Sequence, residues 1–144
     1  MRIRVGITIA AAPVDVWRVI EPVERHVDWM ADAESIRFTT TQTRGVGTAF
    51  DCVTRIGPFR TTDRMAIVEW NPTVAMGIEH RGVVTGRGRF TLYPAREGTR
   101  FTWEEQLTFP WWMGGPAGAF LARPVLRAIW RRNLRRLKAT AEGS

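Results

Sequence analysis

Cysteine and histidine are scarce in this 144-residue chain, and their scarcity excludes several classes of protein. A single cysteine, Cys52, can form neither a disulfide framework nor a CxxC-type zinc site. The two histidines, His26 and His80, lie far apart in sequence, so we expect no metal site and no cofactor. The glycine pairs 45/47 and 86/88 lack the third glycine and the following helix of a dinucleotide-binding loop, so we interpret them as hairpin glycines.

Long apolar runs are absent as well. The longest uncharged run, residues 106–122, is broken by Pro110, Gly114, Gly115 and Pro116, so it is too short and too interrupted for a transmembrane helix. The first residues alternate between apolar and polar, which is typical of a strand rather than of a signal peptide. Together with the lone cysteine, these features predict a cytoplasmic protein in which residues 1–144 form a single domain.

Acidic residues are missing from one particular stretch. Seven of the 21 basic residues lie between Arg123 and Lys138, with no acid among them, and the remaining basic residues equal the 14 acidic ones in number. The net charge of +7 therefore belongs to this segment. Such a face is usually solvated, and it could also bind an anionic partner such as RNA or a membrane surface. We expect no DNA partner.

The same segment predicts the long helix around which the rest of the chain is organised. At about 100° per residue, one arc of residues 116–138 is apolar and the opposite arc carries most of the basic residues. Asn133 lies within the apolar arc, and Pro124 is expected to kink or restart the helix. An apolar stripe must be buried against another layer, here a β-sheet. The arc comprises Ala119, Ala122, Leu126, Ile129, Trp130, Asn133 and Leu137.

The order of the other elements follows from alternation and turn residues. Ile3 to Ile9 alternate as in a half-buried strand, Pro13 fits the first turn of a short helix, and a second short helix should follow Pro22 and end near Met30. Glycine, proline and asparagine separate the remaining strands closely enough for antiparallel neighbours. These strands are predicted near Ile36–Phe38 and over residues 48–56, 60–70, 74–80, 87–93 and 99–109.

Six segments in this order resemble the START/Bet v 1-like superfamily, and within it the polyketide cyclase/dehydrase and lipid-transport proteins. They are IAAAPVDVWRVI, VDWM, GVGTAF, IVEWNP, EGTRFTWEEQL and FLARPVLRAIWRRNLRRLK, which span nearly the entire chain. The resemblance implies an α+β helix-grip fold. In this fold a curved antiparallel sheet of about seven strands wraps around the long C-terminal helix, two short helices follow the first strand, and a cavity lies between sheet and helix.

Alternation assigns the residues that would line such a cavity. On the last strand, Phe101, Trp103, Glu105, Leu107 and Phe109 share the inward face, and Val74, Met76 and Ile78 share that of another strand. An apolar pocket with a few convergent polar groups is the usual form of a small-molecule site, although the aromatic residues could also simply fill a core. The predicted ligand-binding residues are Trp29, Phe50, Cys52, Met76, Ile78, Phe90, Phe101, Trp103, Leu126 and Trp130.

Three polar residues on these inward faces are the catalytic candidates: Glu105, His80 and Asn133. Desolvation favours the protonated form of a carboxylate on an apolar face unless a cation pairs with it, which would suit Glu105 for acid or base catalysis. His80 could share its proton, and Asn133 could donate to an oxyanion. Alternatively, Glu105 forms a structural pair with an arginine, His80 lies at the rim or in solvent, and Asn133 bonds only backbone or water.

Residues 109–115, FPWWMGG, join the last strand to the long helix where the cavity should open. The adjacent Trp111 and Trp112 could form a gate, contact a membrane surface, or pack as a corner of the core. The leading hypothesis for the whole chain is binding of a small hydrophobic lipid-, polyketide- or isoprenoid-like molecule in the cavity. The alternatives are a polyketide cyclase or dehydratase that uses Glu105 as acid and base, and binding of RNA or a membrane surface through the arginine-rich helix.

Overall fold

The computed structural model of the protein describes residues 1–143. These residues form one sheet of seven antiparallel strands, against which two α-helices pack. The elements are β1 (Arg2–Ile9), α1 (Pro13–Ile20), a 3₁₀ helix (Val23–Asp28), β2 (Ala33–Phe38), β3 (Ala49–Ile56), β4 (Phe59–Asn71), β5 (Ala75–Arg81), β6 (Thr85–Ala95), β7 (Gly98–Thr108), a second 3₁₀ helix (Trp111–Met113) and α2 (Gly115–Glu142). The predicted fold class is confirmed: about seven strands, two short helices after the first, and a long C-terminal helix packed on the sheet.

The strand order is β1-β7-β6-β5-β4-β3-β2, so the last six strands form a meander and the first strand closes against the last. Val5 of β1 lies opposite Trp103 of β7, which places the beginning of the chain beside the strand that precedes α2. Register shifts in β2, between Ala33 and Ser35, and in β4, between Ile67 and Glu69, interrupt the regular pairing. Irregularities of this kind bend a strand and increase its twist, which helps a sheet to close over a helix.

Most inward faces follow the predicted alternation, but Val74 was wrongly assigned to one of them. Met76 and Ile78 are buried as expected, whereas Val74 is 45% exposed. It closes a tight turn in which its backbone N–H donates to the carbonyl of Asn71, and Thr73 adopts a positive φ of 66° in that turn. β5 therefore starts at Ala75, one residue later than predicted. Val74 belongs to the turn before this strand, where no other layer of the structure covers its side chain.

The long helix α2 extends beyond the predicted residues at both ends and is not broken at Pro124. Pro116 lies in its first turn, as predicted. The backbone amide that Pro124 lacks would have bonded the carbonyl of Phe120, and both residues face solvent, where water can replace that bond. The predicted apolar arc is confirmed: Ala119, Leu126, Trp130, Asn133 and Leu137 are buried, and Ala122 and Ile129 pack partly against the core.

The second short helix is a 3₁₀ helix that orients a histidine into the core. His26 is buried, and its Nε2–H donates to the carbonyl of Ile20 over 2.7 Å. Its ring packs against Trp29 and Phe90, with centroids 5.1 and 5.9 Å away. Burial lowers the pKa of His26 to about 4, because these neighbours do not compensate a charge. His26 is therefore neutral at physiological pH and joins α1 to the 3₁₀ helix.

Asn133 joins α2 to the loop before β2. Its Oδ1 accepts the backbone N–H of Ala31 at 3.0 Å, and its Nδ2 donates to the carboxylate of Asp32 at 2.7 Å. The side chain is 0% exposed, so both bonds are made away from bulk water. Such bonds satisfy groups whose burial would otherwise be costly. The polar residue in the apolar arc thus fixes the position of α2 over the sheet.

Neither α-helix of the described residues is long and apolar enough to cross a membrane.

Replacing Asn133 by leucine should lower the free energy of unfolding by about 2–5 kcal/mol, because the amide of Ala31 and the carboxyl of Asp32 each lose a buried partner. Urea denaturation measures the change. Arg132→Leu is the matched control, since Arg132 is its exposed neighbour and should change stability by no more than about 0.5 kcal/mol. Equal stability of the two variants would contradict the clamping role of Asn133.

The lowered pKa of His26 should make the protein less stable in acid. Between about pH 6.5 and pH 4 the unfolded state binds a proton that the folded state does not, so stability falls as the pH falls. His26→Gln retains a donor for the carbonyl of Ile20 but does not titrate. The stability of the wild type relative to this variant should decrease by about 3 kcal/mol across that window. A difference that does not depend on pH would show that His26 titrates normally.

Candidate functional site: a cavity with a histidine–glutamate pair

A cavity of about 400 Å³ lies between the sheet and α2. Its wall is mostly apolar and comes from β2 to β7, residues 122–130 of α2, and the loops before β2 and α2. The polar side chains of the wall are few, and include His80, Glu105, Asp63 and Asp32. A cavity of this size and lining is typical of sites for small organic molecules. The apolar lining residues include Met65, Met76, Ile78, Phe90, Trp103, Leu107, Leu126 and Trp130.

Glu105 is the central polar group of the cavity wall. It is 5% exposed, and each of its carboxylate oxygens accepts one hydrogen bond. The indole N–H of Trp103 donates to Oε1 at 2.9 Å, and Nε2–H of His80 donates to Oε2 at 2.9 Å. Within residues 1–143 no arginine forms an ion pair with Glu105, so the structural arginine pair considered above is not formed. His80 takes that place.

His80 and Glu105 meet across an intervening strand. His80 is on β5 and Glu105 is on β7, with β6 between them, and Gly88 of β6 lies directly opposite Glu105. A Cβ atom at Gly88 would overlap Oε1 of Glu105, so the carboxylate occupies space that the side chain of any other residue would fill. Gly86, also in β6, has a φ of 148° and its Cβ would overlap the carbonyl oxygen of Gln106. The interpretation of these two as hairpin glycines was wrong: they lie within β6, and Gly88 leaves room for the pair.

The electrostatic environment favours a protonated His80. Burial alone would lower its pKa, but the charge of Glu105, the hydrogen bond to it and the charge of Asp63 outweigh burial and raise the pKa of His80. When His80 is protonated, its pair with the carboxylate of Glu105 keeps a proton available at the surface of the cavity. Such pairs occur at proton-transfer sites and also in purely structural ion-pair networks.

Two aspartates complete the polar part of the wall. Burial raises the pKa of Asp63, which accepts weak bonds from the hydroxyls of Thr54 and Thr61 at 3.3 and 3.4 Å. Its Oδ1 is buried and has no hydrogen-bond partner among the described residues. Burial also raises the pKa of Asp32, an effect that the bond from Asn133 partly offsets. Both carboxyls can therefore hold a proton more readily than exposed aspartates do.

The structure brings two of the three predicted catalytic residues together. Glu105 and His80 line the cavity and bond each other, whereas Asn133 does not line it, because its amide is bound to Ala31 and Asp32. Seven of the predicted ligand-binding residues line the cavity: Cys52, Met76, Ile78, Phe90, Trp103, Leu126 and Trp130. The other three, Trp29, Phe50 and Phe101, are buried in the packed core and are not part of the lining.

Sequence reasoning missed the two aspartates. Thr61, Asp63 and Met65 alternate on β4 with exposed residues and lead to the buried Ile67, so a period of two could have identified Asp63 as inward-facing. Asp32 lies in the loop before β2, where no periodicity predicts the direction of a side chain. Its position depends on the bond to Asn133, a contact across 101 residues of sequence.

Cys52 lies on the wall but is not poised to react. Burial raises the pKa of its thiol to about 11, so the reactive thiolate is scarcely populated near neutral pH. Among residues 1–143, no group of three or more histidine, cysteine, aspartate or glutamate side chains has the geometry to hold a metal ion. The polar side chains of the wall that can form hydrogen bonds or exchange a proton include His80, Glu105 and the two aspartates.

The mouth of the cavity is apolar and exposed. Phe59 at the β3–β4 turn, Met113 in the second 3₁₀ helix and Val125 on α2 line the cavity and are also exposed to solvent. Next to them along the chain, Trp111 is 87% and Trp112 is 62% exposed. Of the alternatives for this segment, packing as a corner of the core is therefore wrong. We call Phe59, Trp111, Trp112, Met113, Phe120, Leu121 and Val125 the apolar rim.

Several solved structures share this fold at low sequence identity. The Zhui aromatase/cyclase from Streptomyces sp. R1128 is 16% identical with a TM-score of 0.75, covering 99% of this chain and 93% of that one. The di-domain ARO/CYC StfQ of the steffimycin biosynthetic pathway is 19% identical with a TM-score of 0.82, covering 99% and 50%. The protein TTHA0849 from Thermus thermophilus is 20% identical with a TM-score of 0.73, covering 99% and 95%.

At these identities the likeness shows the fold alone, and no curated protein sequence matches the chain. The model of one protein family does match, over residues 1–142. That match covers every strand and helix described above, including both sides of the cavity. The chain belongs to the family described as polyketide cyclase / dehydrase and lipid transport.

Proposed function

We propose that the protein binds a small hydrophobic molecule that carries a polar group at one end. The observation that supports this most is the contrast within the cavity wall, where a large apolar surface surrounds a small group of hydrogen-bonding side chains. Family membership agrees with a hydrophobic ligand, since the family includes lipid-transport proteins. The apolar wall supplies affinity through burial, and the polar group fixes the orientation of the ligand.

The polar end of the ligand is best matched by a hydroxyl or carbonyl group. His80 offers an imidazolium donor, Glu105 an acceptor, and Asp63 a carboxyl whose Oδ1 has no partner among the described residues. A hydroxyl or carbonyl can bond these groups without bringing a second charge into the cavity. An anionic end would meet three carboxyl groups, which repel it when they are ionised, while the imidazolium of His80 is already paired with Glu105. The proposal therefore favours neutral sterol-, isoprenoid- or polyketide-like molecules over free fatty acids.

The hydrogen-bonded His80–Glu105 pair favours a second candidate, a cyclase or dehydratase acting on a polyketide-like substrate. In that role the carboxylate of Glu105 removes a proton from a carbon beside a carbonyl, and the imidazolium of His80 donates a proton to a hydroxyl that leaves as water. Two of the similar solved structures bear aromatase/cyclase names, and that likeness extends to the fold. Asn133 is left out of this candidate, because it does not line the cavity and its amide bonds Ala31 and Asp32.

An uncharged apolar fluorescent probe such as N-phenyl-1-naphthylamine should bind the folded protein and be displaced by neutral isoprenoid or polycyclic alcohols. Val84→Trp, a change in the lining between β5 and β6, should narrow the cavity and weaken binding of the probe. Val46→Trp is the matched control, because Val46 is exposed in a loop and does not line the cavity. Circular dichroism verifies that both variants fold. Absence of displaceable binding in the wild type would refute the proposed ligand site.

Glu105→Gln should lower the pKa of His80, because it removes the anionic partner that outweighs burial. NMR titration of the two imidazole rings measures this change, with His26 as an internal reference that should not move. Glu104→Gln is the control, since Glu104 is adjacent in sequence but pairs with Arg2 on the outer side of the sheet. An unchanged titration of His80 would contradict the coupling described here.

The same variant distinguishes binding from catalysis. If the protein is an enzyme, Glu105→Gln should reduce turnover of a polyketide-like substrate by about two to four orders of magnitude while Glu104→Gln does not. If the protein only binds its ligand, Glu105→Gln should change affinity by about tenfold or less, the value of one or two hydrogen bonds. If the wild type turns over the substrate and both variants retain that activity, Glu105 is not part of the mechanism.

A further inference from the structure

Four of the seven residues of the apolar rim are exposed without lining the cavity. In addition to Trp111 and Trp112, Phe120 is 71% and Leu121 is 73% exposed, and both lie in the first turns of α2. Scattered apolar side chains on a surface are ordinary, but a contiguous group of large ones marks a contact surface. The stretch of chain from Phe109 to Val125 supplies six of the seven rim residues and part of the cavity lining.

The exposed face of α2 changes character along its length. At 100° per residue, Phe120, Leu121 and Val125 point to the same side of the helix as Arg131, Arg132 and Arg135. All six side chains are exposed, and the buried arc occupies the opposite side. One broad surface could therefore contact the apolar first half and the basic second half of the helix together.

The arginines of α2 differ from many of those on the sheet in having no acidic partner. Within residues 1–143, none of the six arginines of α2 forms an ion pair. The ion pair on this helix joins Lys138 to Glu142. Elsewhere, arginines such as Arg2, Arg60 and Arg89 pair with glutamates. Five of these six arginines are exposed, and three of them, Arg131, Arg132 and Arg135, share the side of α2 that carries Phe120, Leu121 and Val125.

We propose that this surface docks on an anionic lipid bilayer: the apolar rim inserts at the headgroup level and the α2 arginines contact lipid phosphates. Tryptophan is favoured at membrane interfaces, and a helix face with apolar and basic parts is typical of interfacial binding. The charge complements the negative surface of such a membrane. Phe120, Leu121 and Val125 offer nothing to a nucleic acid, which is why a lipid surface fits better than RNA. In this orientation the cavity mouth faces the bilayer. The docking proposal does not depend on which molecule the cavity binds.

The test is flotation of the full chain with vesicles of phosphatidylcholine alone or with about 30% phosphatidylglycerol, at low and physiological salt. Binding should require the anionic lipid and weaken with salt. The double variant Trp111→Ala/Trp112→Ala should lower the partition coefficient about tenfold or more and abolish any blue shift of tryptophan fluorescence on vesicles. Its control is Val46→Ala/Tyr93→Ala, which removes exposed apolar side chains away from the rim.

The electrostatic part is tested separately with Arg131→Gln/Arg132→Gln/Arg135→Gln. Binding to anionic vesicles should fall by about fivefold for each charge removed. The control variant Arg4→Gln/Arg37→Gln/Arg64→Gln removes three exposed arginines of the sheet that are likewise outside ion pairs, and should keep binding within about twofold for the same loss of net charge.

Three results would overturn the proposal: no binding to anionic vesicles, equal losses in the rim variant and its control, or equal losses in the two arginine variants. Sedimentation without vesicles would also overturn it if the wild type formed a dimer that Trp111→Ala/Trp112→Ala dissociates, because a second copy would then cover the rim. Binding to an RNA oligonucleotide but not to vesicles would assign the arginines to nucleic acid. Probe binding in the cavity is unaffected by these outcomes, so failure of docking and failure of the proposed function are distinguishable.

Discussion

The contact of Trp103 with α2 is the interaction on which both the fold and the site depend. The indole of Trp103 on β7 stacks on Trp130 of the helix, with centroids 5.1 Å apart and planes 26° from parallel. The N–H of the same indole binds Glu105 two residues further along the strand. One side chain therefore anchors the helix to the sheet and orients the carboxylate of the cavity. Packing and site geometry cannot be changed independently at this position.

The strands and helices could be predicted from the sequence because each has a local period. Residues 101 to 109 alternate, so the inward position of Glu105 followed from its neighbours alone. The arc of α2, including the buried Asn133, followed in the same way from the helical period. Val74 was assigned wrongly since a period of two says nothing about where a hairpin turn begins. Pro124 did not break the helix because its missing hydrogen bond falls on the solvent side.

The partners of the polar residues could not be predicted, because they depend on register between strands that are distant in sequence. His80 and Glu105 are 25 residues apart and meet only because β6 carries glycine between them. Asn133 shared the apolar arc with the lining residues Leu126 and Trp130, yet its amide binds a loop about 100 residues away. Similarly, the sequence could not show that the pKa values of the two histidines shift in opposite directions. Apolar burial lowers the pKa of His26, and neighbouring carboxylates raise that of His80.

The space above Gly88 has a consequence for comparing this protein with its relatives. Because the carboxylate of Glu105 fills the volume that a Cβ would take, the glutamate and the glycine form one unit spread over two strands. A homologous sequence that keeps the glutamate but has a larger residue at the glycine position must place its acid elsewhere, and its histidine with it. Members of this family can therefore be sorted by the joint presence of the glutamate, the glycine and the histidine, rather than by the glutamate alone. Those with all three share this cavity chemistry, and the others share only the fold.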